Sequence, residues 1–388
     1  MPTARLVTRH QALGLILALA LTGCGLPHRR AIADNLNQID EARLRAHVAS
    51  LADLGPRPIE DVEATAATVA WLREQLAQLQ LEVTEEPVLF TPSGGELLAE
   101  VRRNDADPTS PTEALALPRH MANYGSRVLS SQTQSLRDRG WDVFGYSVGG
   151  GPPSEAVVAP NLLVEIPGTS AAPGIVELSA HYDTVPLCPG ANDNSSGVAA
   201  LLEIARLLTR HPPERTVRLC FFAGEEQGLL GSAVHVDNIV AKGEPIVGLL
   251  NLDSVGIASH EPDSQQAPIR ILFVTWIPST GDFITVVGNW DSGPLGNIFE
   301  GAAETYTPEL PYYSANRIGG MFADGYRSDH ANYWKAGIPA IFLTDTGEMR
   351  WDTYHKPGDL PEDLDYAFLR QVAQATAAAT YELARPGS

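Results

Sequence analysis

The sequence is short of positive charge: 27 Lys and Arg stand against 47 Asp and Glu in 388 residues, a formal charge of −20. So acidic a chain offers no footprint for a phosphate backbone, which excludes nucleic-acid binding. Aromatic residues are sparse at 7% and mean hydropathy is −0.08, which excludes a multispanning membrane protein. The apolar run Ala12–Leu21 is ten residues long, too short to cross a bilayer as a mature helix. Cysteine is also scarce, with Cys24, Cys188 and Cys220 the three in the chain, too few for a disulfide scaffold. What is there describes a globular protein: 44% apolar and 19% charged residues, in a length that suits one large domain or two ordinary ones.

The N-terminus has the pattern of an export signal. Arg5 and Arg9 precede the apolar run, and Leu21-Thr22-Gly23-Cys24 closes it. A small-residue site ending in Cys resembles the bacterial lipoprotein signal, in which Cys24 becomes the lipidated first residue. Removing residues 1–23, which hold two Arg and no acid, takes the charge from −20 to −22. The expectation is an exported lipoprotein facing the periplasm or cell exterior, attached to the membrane only through the lipid on Cys24. His28-Arg29-Arg30 is the basic partner beside that anchor. Export would allow Cys188 and Cys220 to pair; the other reading is that Cys220, inside Val217-Arg218-Leu219-Cys220-Phe221-Phe222, is a buried thiol.

Beyond Cys24, residues 24–40 read as a polar tether and 41–388 as a single domain. Helical spacing predicts helices over Glu41–Leu54, stopped by Gly55-Pro56-Arg57-Pro58, and over Asp61–Leu79. A strand is expected at Leu81–Phe90 and a loop from Thr91 to Pro118, then a helix at Ser126–Arg139 and a strand at Trp141–Val148. The segment 91–158 is therefore an insertion or a lid. Further strands are expected at Asn161–Ile166, Ile175–Ala180, Thr216–Phe222, Ile246–Leu252, Ile269–Val274 and Ile338–Leu343. Helices fit between several of them, at Ser195–Thr209 above all, and at the end over Asp365–Ala384. Short apolar strands alternating with helices predict an α/β fold, a three-layer α/β/α sandwich around a mixed, largely parallel sheet.

Sites in such sheets form at the carboxyl ends of the strands. Three of the expected strands end in His181-Tyr182-Asp183, in Ala223-Gly224-Glu225-Glu226 and in Asp253. Gly190-Ala191-Asn192-Asp193-Asn194-Ser195-Ser196-Gly197 turns into the central helix, and Tyr354-His355-Lys356-Pro357-Gly358-Asp359 follows the last strand. Like charges packed together destabilise one another unless a cation joins them. Imidazoles with several carboxylates suit zinc, with manganese or cobalt as substitutes, and the supply is enough for two ions sharing a carboxylate. Of the adjacent pair Glu225 and Glu226, one side chain can bind metal while the other turns toward water as a general base.

These five segments, in this order, resemble the cocatalytic di-zinc aminopeptidase family of bacterial leucyl aminopeptidases, aminopeptidases S and Y, glutamate carboxypeptidase II and glutaminyl cyclases. The resemblance spans roughly residues 41–385 and implies the zinc-exopeptidase fold acting on peptide substrates. It implies that Asp193 bridges two zinc ions, with His181 and Asp253 completing one and Glu226 and His355 the other. It makes Glu225 the proton shuttle, Asp183 the residue that orients the His181 ring, and the Asp193–Asn194 peptide cis. Ser328-Asp329-His330 resembles a supporting segment of the pocket wall. Tyr326, just before it, lies near where some members place a Tyr that hydrogen-bonds the tetrahedral intermediate, with a spacing to Ser328 one residue shorter than in those members. Arg327 beside it could instead meet a substrate carboxylate, as in a carboxypeptidase. The expected function is therefore removal of N-terminal residues from peptides, with a glutaminyl cyclase-like acyltransferase, a carboxypeptidase and a non-catalytic binding lipoprotein as rivals. Gly145-Tyr146-Ser147-Val148-Gly149 also matches G-x-S-x-G, but glycines and prolines follow where a nucleophile elbow needs a helix.

Overall fold

A computed structural model describes residues 5–7, 26–91, 96–106, 110–116, 137, 140–149, 156–266 and 278–387. Apolar side chains at alternate positions along the central strands separate two cores. In β9 (Ile246–Leu252) Leu250 and Leu252 pack into one core and Leu249 into the other. Leu219 and Phe221 oppose Cys220 and Phe222 in the same way in β8 (Val217–Phe222), as do Ile341 and Leu343 against Ala340 and Phe342 in β12 (Ala340–Thr344). A sheet apolar on both faces needs a helical layer on each, and this is the arrangement observed.

The larger layer holds α1 (Leu26–Leu36), α2 (Glu41–Asp53), α3 (Val62–Gln78), α4 (Gly197–Arg210), α6 (Gly293–Tyr306) and α8 (Tyr366–Leu383). The opposite face carries α5 (Leu230–Lys242) and α7 (His330–Lys335). Aspartates cap three helix starts: Asp40, Asp61 and Asp365 each accept from backbone N–H groups of the first turn. The remaining sheet strands are β1 (Arg5–Val7), β2 (Val83–Phe90), β6 (Val157–Ile166), β7 (Ile175–His181), β10 (Ile284–Gly288) and β11 (Tyr312–Ala315). Among the described residues the sheet has nine strands in the order β1-β11-β10-β12-β9-β7-β8-β6-β2. Its centre, β12-β9-β7-β8, is parallel, with antiparallel neighbours on both sides. The fold is thus the three-layer α/β/α sandwich with a mixed sheet.

Several expectations need correction. Residues 26–36 are not a tether but helix α1, which packs on α8 and buries Ile32 and Leu36. The segment 91–118 is not all loop: β3 (Glu96–Arg103) and β4 (Glu113–Ala116) pair with β5 (Trp141–Gly149) in a separate antiparallel sheet. That insertion leaves and re-enters the main sheet where Phe90 pairs with Val157. β10 and β11 are two strands the periodicity did not single out. The expected strand at 269–274 lies outside the described residues, as does the expected helix at 126–139 apart from Arg137. Ser147 lies within β5, paired opposite Leu98. Cys188 and Cys220 are free and buried in different clusters.

Candidate metal centre

The four parallel strands point their carboxyl ends at one edge, and the acidic segments meet there. β7 delivers His181 and, two residues on, Asp183; β8 leads through Gly224 to Glu225 and Glu226; Asp253 directly follows β9. The turn 191–196 brings Asp193 between them, and the loop after β12 brings His355. The close approach of this turn to β9 requires glycine at 197, where a Cβ would lie 2.4 Å from Asn194 Oδ1 and 2.7 Å from the Leu252 carbonyl oxygen. The Asp193–Asn194 peptide is cis.

Two triads result, and Asp193 belongs to both. Its Oδ1 lies 3.3 Å from His181 Nε2, which is itself 3.5 Å from Asp253 Oδ1. Its Oδ2 lies 3.0 Å from His355 Nε2, which is 3.3 Å from Glu226 Oε1. Tetrahedral zinc with bonds of about 2.0–2.1 Å holds its ligand atoms roughly 3.3 Å apart, so these separations fit the edges of two coordination tetrahedra. His181 Nε2 and Glu226 Oε1 are buried and have no hydrogen-bond partner. Buried polar atoms left this way imply a missing partner, and a cation supplies one for both. The donor set therefore fits zinc.

The electrostatics agree. Burial, reinforced by Asp253 and Glu226, pushes Glu225 well above the usual carboxylate range, and burial raises Glu226 too. Burial opposes charge on His355, yet Glu226 and Asp193 push its pKa up to about 10. His181 rises for the same reason, with Asp253 and Glu225 outweighing burial. Protons are standing in for positive charge in an over-acidic cavity.

A model of peptidase family M28 matches residues 161–380, more than half of the chain. The chain belongs to peptidase family M28. Aminopeptidase YwaD of Bacillus subtilis (strain 168) is 33% identical to it over 216 residues, which is 54% of this chain and 41% of that one. The chain spans about half the length of the curated relatives it matches. Among solved structures, the aminopeptidase from Aneurinibacillus sp. strain AM-1 superposes with a TM-score of 0.61 at 17% identity, covering 91% of this chain and 96% of that one. A glutaminyl cyclase from Bacteroides thetaiotaomicron gives a TM-score of 0.55 at 18% identity, covering 88% and 98%. Both show the M28 fold in this chain.

Three placements within the M28 site differ in detail from expectation. Asp183 holds the His181 ring mainly through its main chain: His181 Nδ1 lies 3.1 Å from the Asp183 carbonyl oxygen and 3.6 Å from Oδ1. The Asp183 carboxylate is occupied elsewhere, accepting from the backbone N–H groups of Glu225 and Glu226 at 3.2 Å each. Tyr326 is not placed among the ligands. Its hydroxyl donates to the Gly320 carbonyl oxygen at 3.2 Å and its ring stands edge-on to Trp334. Arg327 forms a two-point pair with Glu348 at 2.7 and 3.0 Å and reaches the Tyr354 hydroxyl at 3.3 Å, with Tyr354 stacked on His355.

The support around the ligands was only partly visible in the sequence. Ser328 Oγ donates to Asp253 Oδ2 at 2.6 Å and is itself fixed by Asn251 Nδ2 at 2.8 Å. Asp359 accepts from the backbone N–H groups of Asn192 at 2.6 Å and Asp193 at 3.0 Å. Asp345 takes the Asn192 side chain at 3.0 Å and the Ile257 N–H at 2.8 Å. Burial pushes Asp359 up to about 8 and Asp345 to about 6. A third grouping of ligand-type residues, Glu177, Cys220 and His235, is of another kind. Both His235 nitrogens face carboxylates, Glu86 at 2.9 Å and Glu177 at 3.2 Å, while Arg218 donates to Glu177 at 2.8 Å. This is an ion-paired network whose ligand-type atoms already have partners without an ion.

Proposed function

We propose that this chain is a zinc-dependent exopeptidase that removes N-terminal residues from peptides at a two-ion centre. The observation that carries the reading is Asp193, whose two oxygens face two separate triads. His181, Asp193 and Asp253 would hold one ion, and Asp193, Glu226 and His355 the other. When bound, the two ions supply Lewis acidity for the scissile carbonyl and a water acidified toward neutral pH. The chain's own residues do the rest. Glu225 stands beside the ligands, buried, with its main chain fixed by Asp183. It would take the proton from the attacking water and deliver it to the leaving amine. His181 is held in one tautomer by the Asp183 carbonyl, which leaves Nε2 as the ligating atom.

Charge favours a substrate amine over a substrate carboxylate. The ligand cluster is acidic, and the guanidinium of Arg327 is already paired with Glu348. The test is a panel of one peptide with free ends, an acetylated N-terminus or an amidated C-terminus. The reading expects the acetylated form to resist hydrolysis and the amidated form to be cut. Cleavage of the acetylated form alone would make the enzyme a carboxypeptidase. Cyclisation of N-terminal glutamine without hydrolysis would make it a cyclase, and no turnover with metal bound would leave a binding protein. The same reading takes residues 1–23 as an export signal and Cys24 as the lipidated residue, supported by the spacing of Arg5, Arg9, the apolar run and the cysteine; edge strand β1 would leave with the signal, and the sheet of the mature chain would run from β11 to β2 in eight strands. Among the described residues no helix is long and apolar enough to cross a membrane. Palmitate labelling that is lost in Cys24→Ala tests the anchor.

A further inference from the structure

Between α2 and α3 the chain passes through Pro56-Arg57-Pro58, and the Arg57 side chain turns fully inward, with a relative exposure of 1%. Its guanidinium finds no carboxylate. It donates instead to neutral acceptors on the loop after β7, on the turn that follows it and on the end of α2. On the loop after β7 it reaches the Tyr182 carbonyl oxygen at 3.2 Å and that of Pro189 at 2.7 Å. On the turn that carries Asp193 it reaches the Gly190 carbonyl oxygen at 3.3 Å and Ser195 Oγ at 3.0 Å. On the end of α2 it reaches the carbonyl oxygens of Leu51 at 2.9 Å and Gly55 at 3.0 Å. The Arg57 main chain adds a reciprocal pair with Thr184: its N–H donates to Thr184 Oγ1 at 2.8 Å, and its carbonyl oxygen accepts from the Thr184 N–H at 3.3 Å.

Tyr182 sits directly after His181, and Gly190 and Ser195 bracket Asp193. We propose that Arg57 is a positioning residue for the metal centre, a buried planar cation that fixes the separation between the strand end carrying His181 and the turn carrying Asp193. The planar fork matters because its donors radiate in one plane to acceptors on opposite sides. A lysine ammonium, a point charge with three donors, reaches one side only. Burial lowers the guanidinium pKa to about 10, so it stays charged at neutral pH, beneath the acidic cluster and opposite in sign to it.

The inference rests on the reading of these residues as a metal centre. The test is cobalt(II) titration of the full-length protein, wild type beside Arg57→Lys, followed by visible absorption and by bound metal per chain. Ser195→Ala, which keeps the arginine but removes one of its acceptors together with the 2.6 Å bond from Ser195 Oγ to the Gly190 carbonyl oxygen, runs in parallel in case Arg57→Lys does not fold. The expected result is a changed cobalt spectrum with roughly 10- to 100-fold weaker cobalt binding in Arg57→Lys, the range for residues that orient metal ligands. Ser195→Ala should show a smaller change in the same direction. A purely structural strut would lower the melting temperature and leave the spectrum and affinity of the folded variants as in wild type; that result overturns the proposal. A wild type that binds no cobalt would overturn the metal-centre reading and this proposal together.

Discussion

Asp193 and Glu225 are both buried at the same sheet edge, and the two acids are expected to fail differently. Glu225→Gln keeps the shape of the site and removes the proton acceptor, so metal content should be unchanged while turnover falls by about 10²–10⁴-fold. Asp193→Ala removes the one carboxylate common to both triads, and atomic-emission analysis should find both ions weakened. A variant pair with the reverse pattern would exchange the roles assigned to these residues. His330 gives a prediction in pH. Its ring stacks on Phe342, Nε2 donates to the Gly325 carbonyl oxygen at 2.7 Å, and burial lowers its pKa to about 4. The folded state keeps this ring neutral while the unfolded chain protonates near 6.5, so stability is lost as pH falls from 6.5 toward 4. The loss reaches about 3 kcal/mol over that window. Urea unfolding of His330→Phe, with chelator present throughout, should show a shallower acid slope than wild type.

At the scale of elements, the clearest case is α4, buried from Gly197 to Leu208 between the sheet and α8. Its start is packed so closely on β9 that Gly197→Ala should destabilise by about 1–3 kcal/mol, the range for overpacked cores. Calorimetry should find a lower melting temperature, and metal should be lost sooner on dialysis, because the same turn carries Asp193. The sequence announced this helix through its one-sided apolar spacing, and the four parallel strands beside it through short, mostly apolar runs. Those strands in turn put His181, Glu225, Glu226 and Asp253 on one edge, so the ligands could be read from the strand ends. Helix α1 was harder to see. Its buried side is a narrow stripe of Ile32 and Leu36, interrupted by Arg, Asp and Asn. The support of the site was harder still. Arg57 and Asp359 act on main-chain groups, which every residue has, so no side-chain pattern marks their targets. Tyr326 is of another kind: its ring stands edge-on to Trp334 and its hydroxyl donates to the Gly320 carbonyl oxygen, contacts that no sequence pattern announces.

The whole molecule should respond to metal and pH together. Without a cation, burial raises Asp345, Asp329 and Asp359 to about 6, 7 and 8. Each then holds a proton in the folded state that it releases on unfolding, so their contribution is complete in acid and lost as pH rises through those values. Metal binding strengthens over the same range, because the imidazoles must be deprotonated to ligate. The gap in melting temperature between metal-loaded and chelated protein should therefore be wider at pH 8 than at pH 5.5 in paired thermal scans. Equal gaps would mean that the acidic edge is neutralised in another way.

Helix α1 has a consequence for how the enzyme would stand on a membrane. It begins at Leu26, two residues after Cys24, and packs along α8. The start of α8 lies at the ligand edge, where the Asp365 N–H donates to the Gly256 carbonyl oxygen; its far end receives Arg215 just ahead of β8. His28 shares a cleft with Tyr381, Arg210 and His211 at that far end. An acylated Cys24 would thus leave almost no slack. The body would be seated on the bilayer by its base, its mouth turned outward to passing peptides, with little freedom to roll over and reach chains lying on the lipid itself.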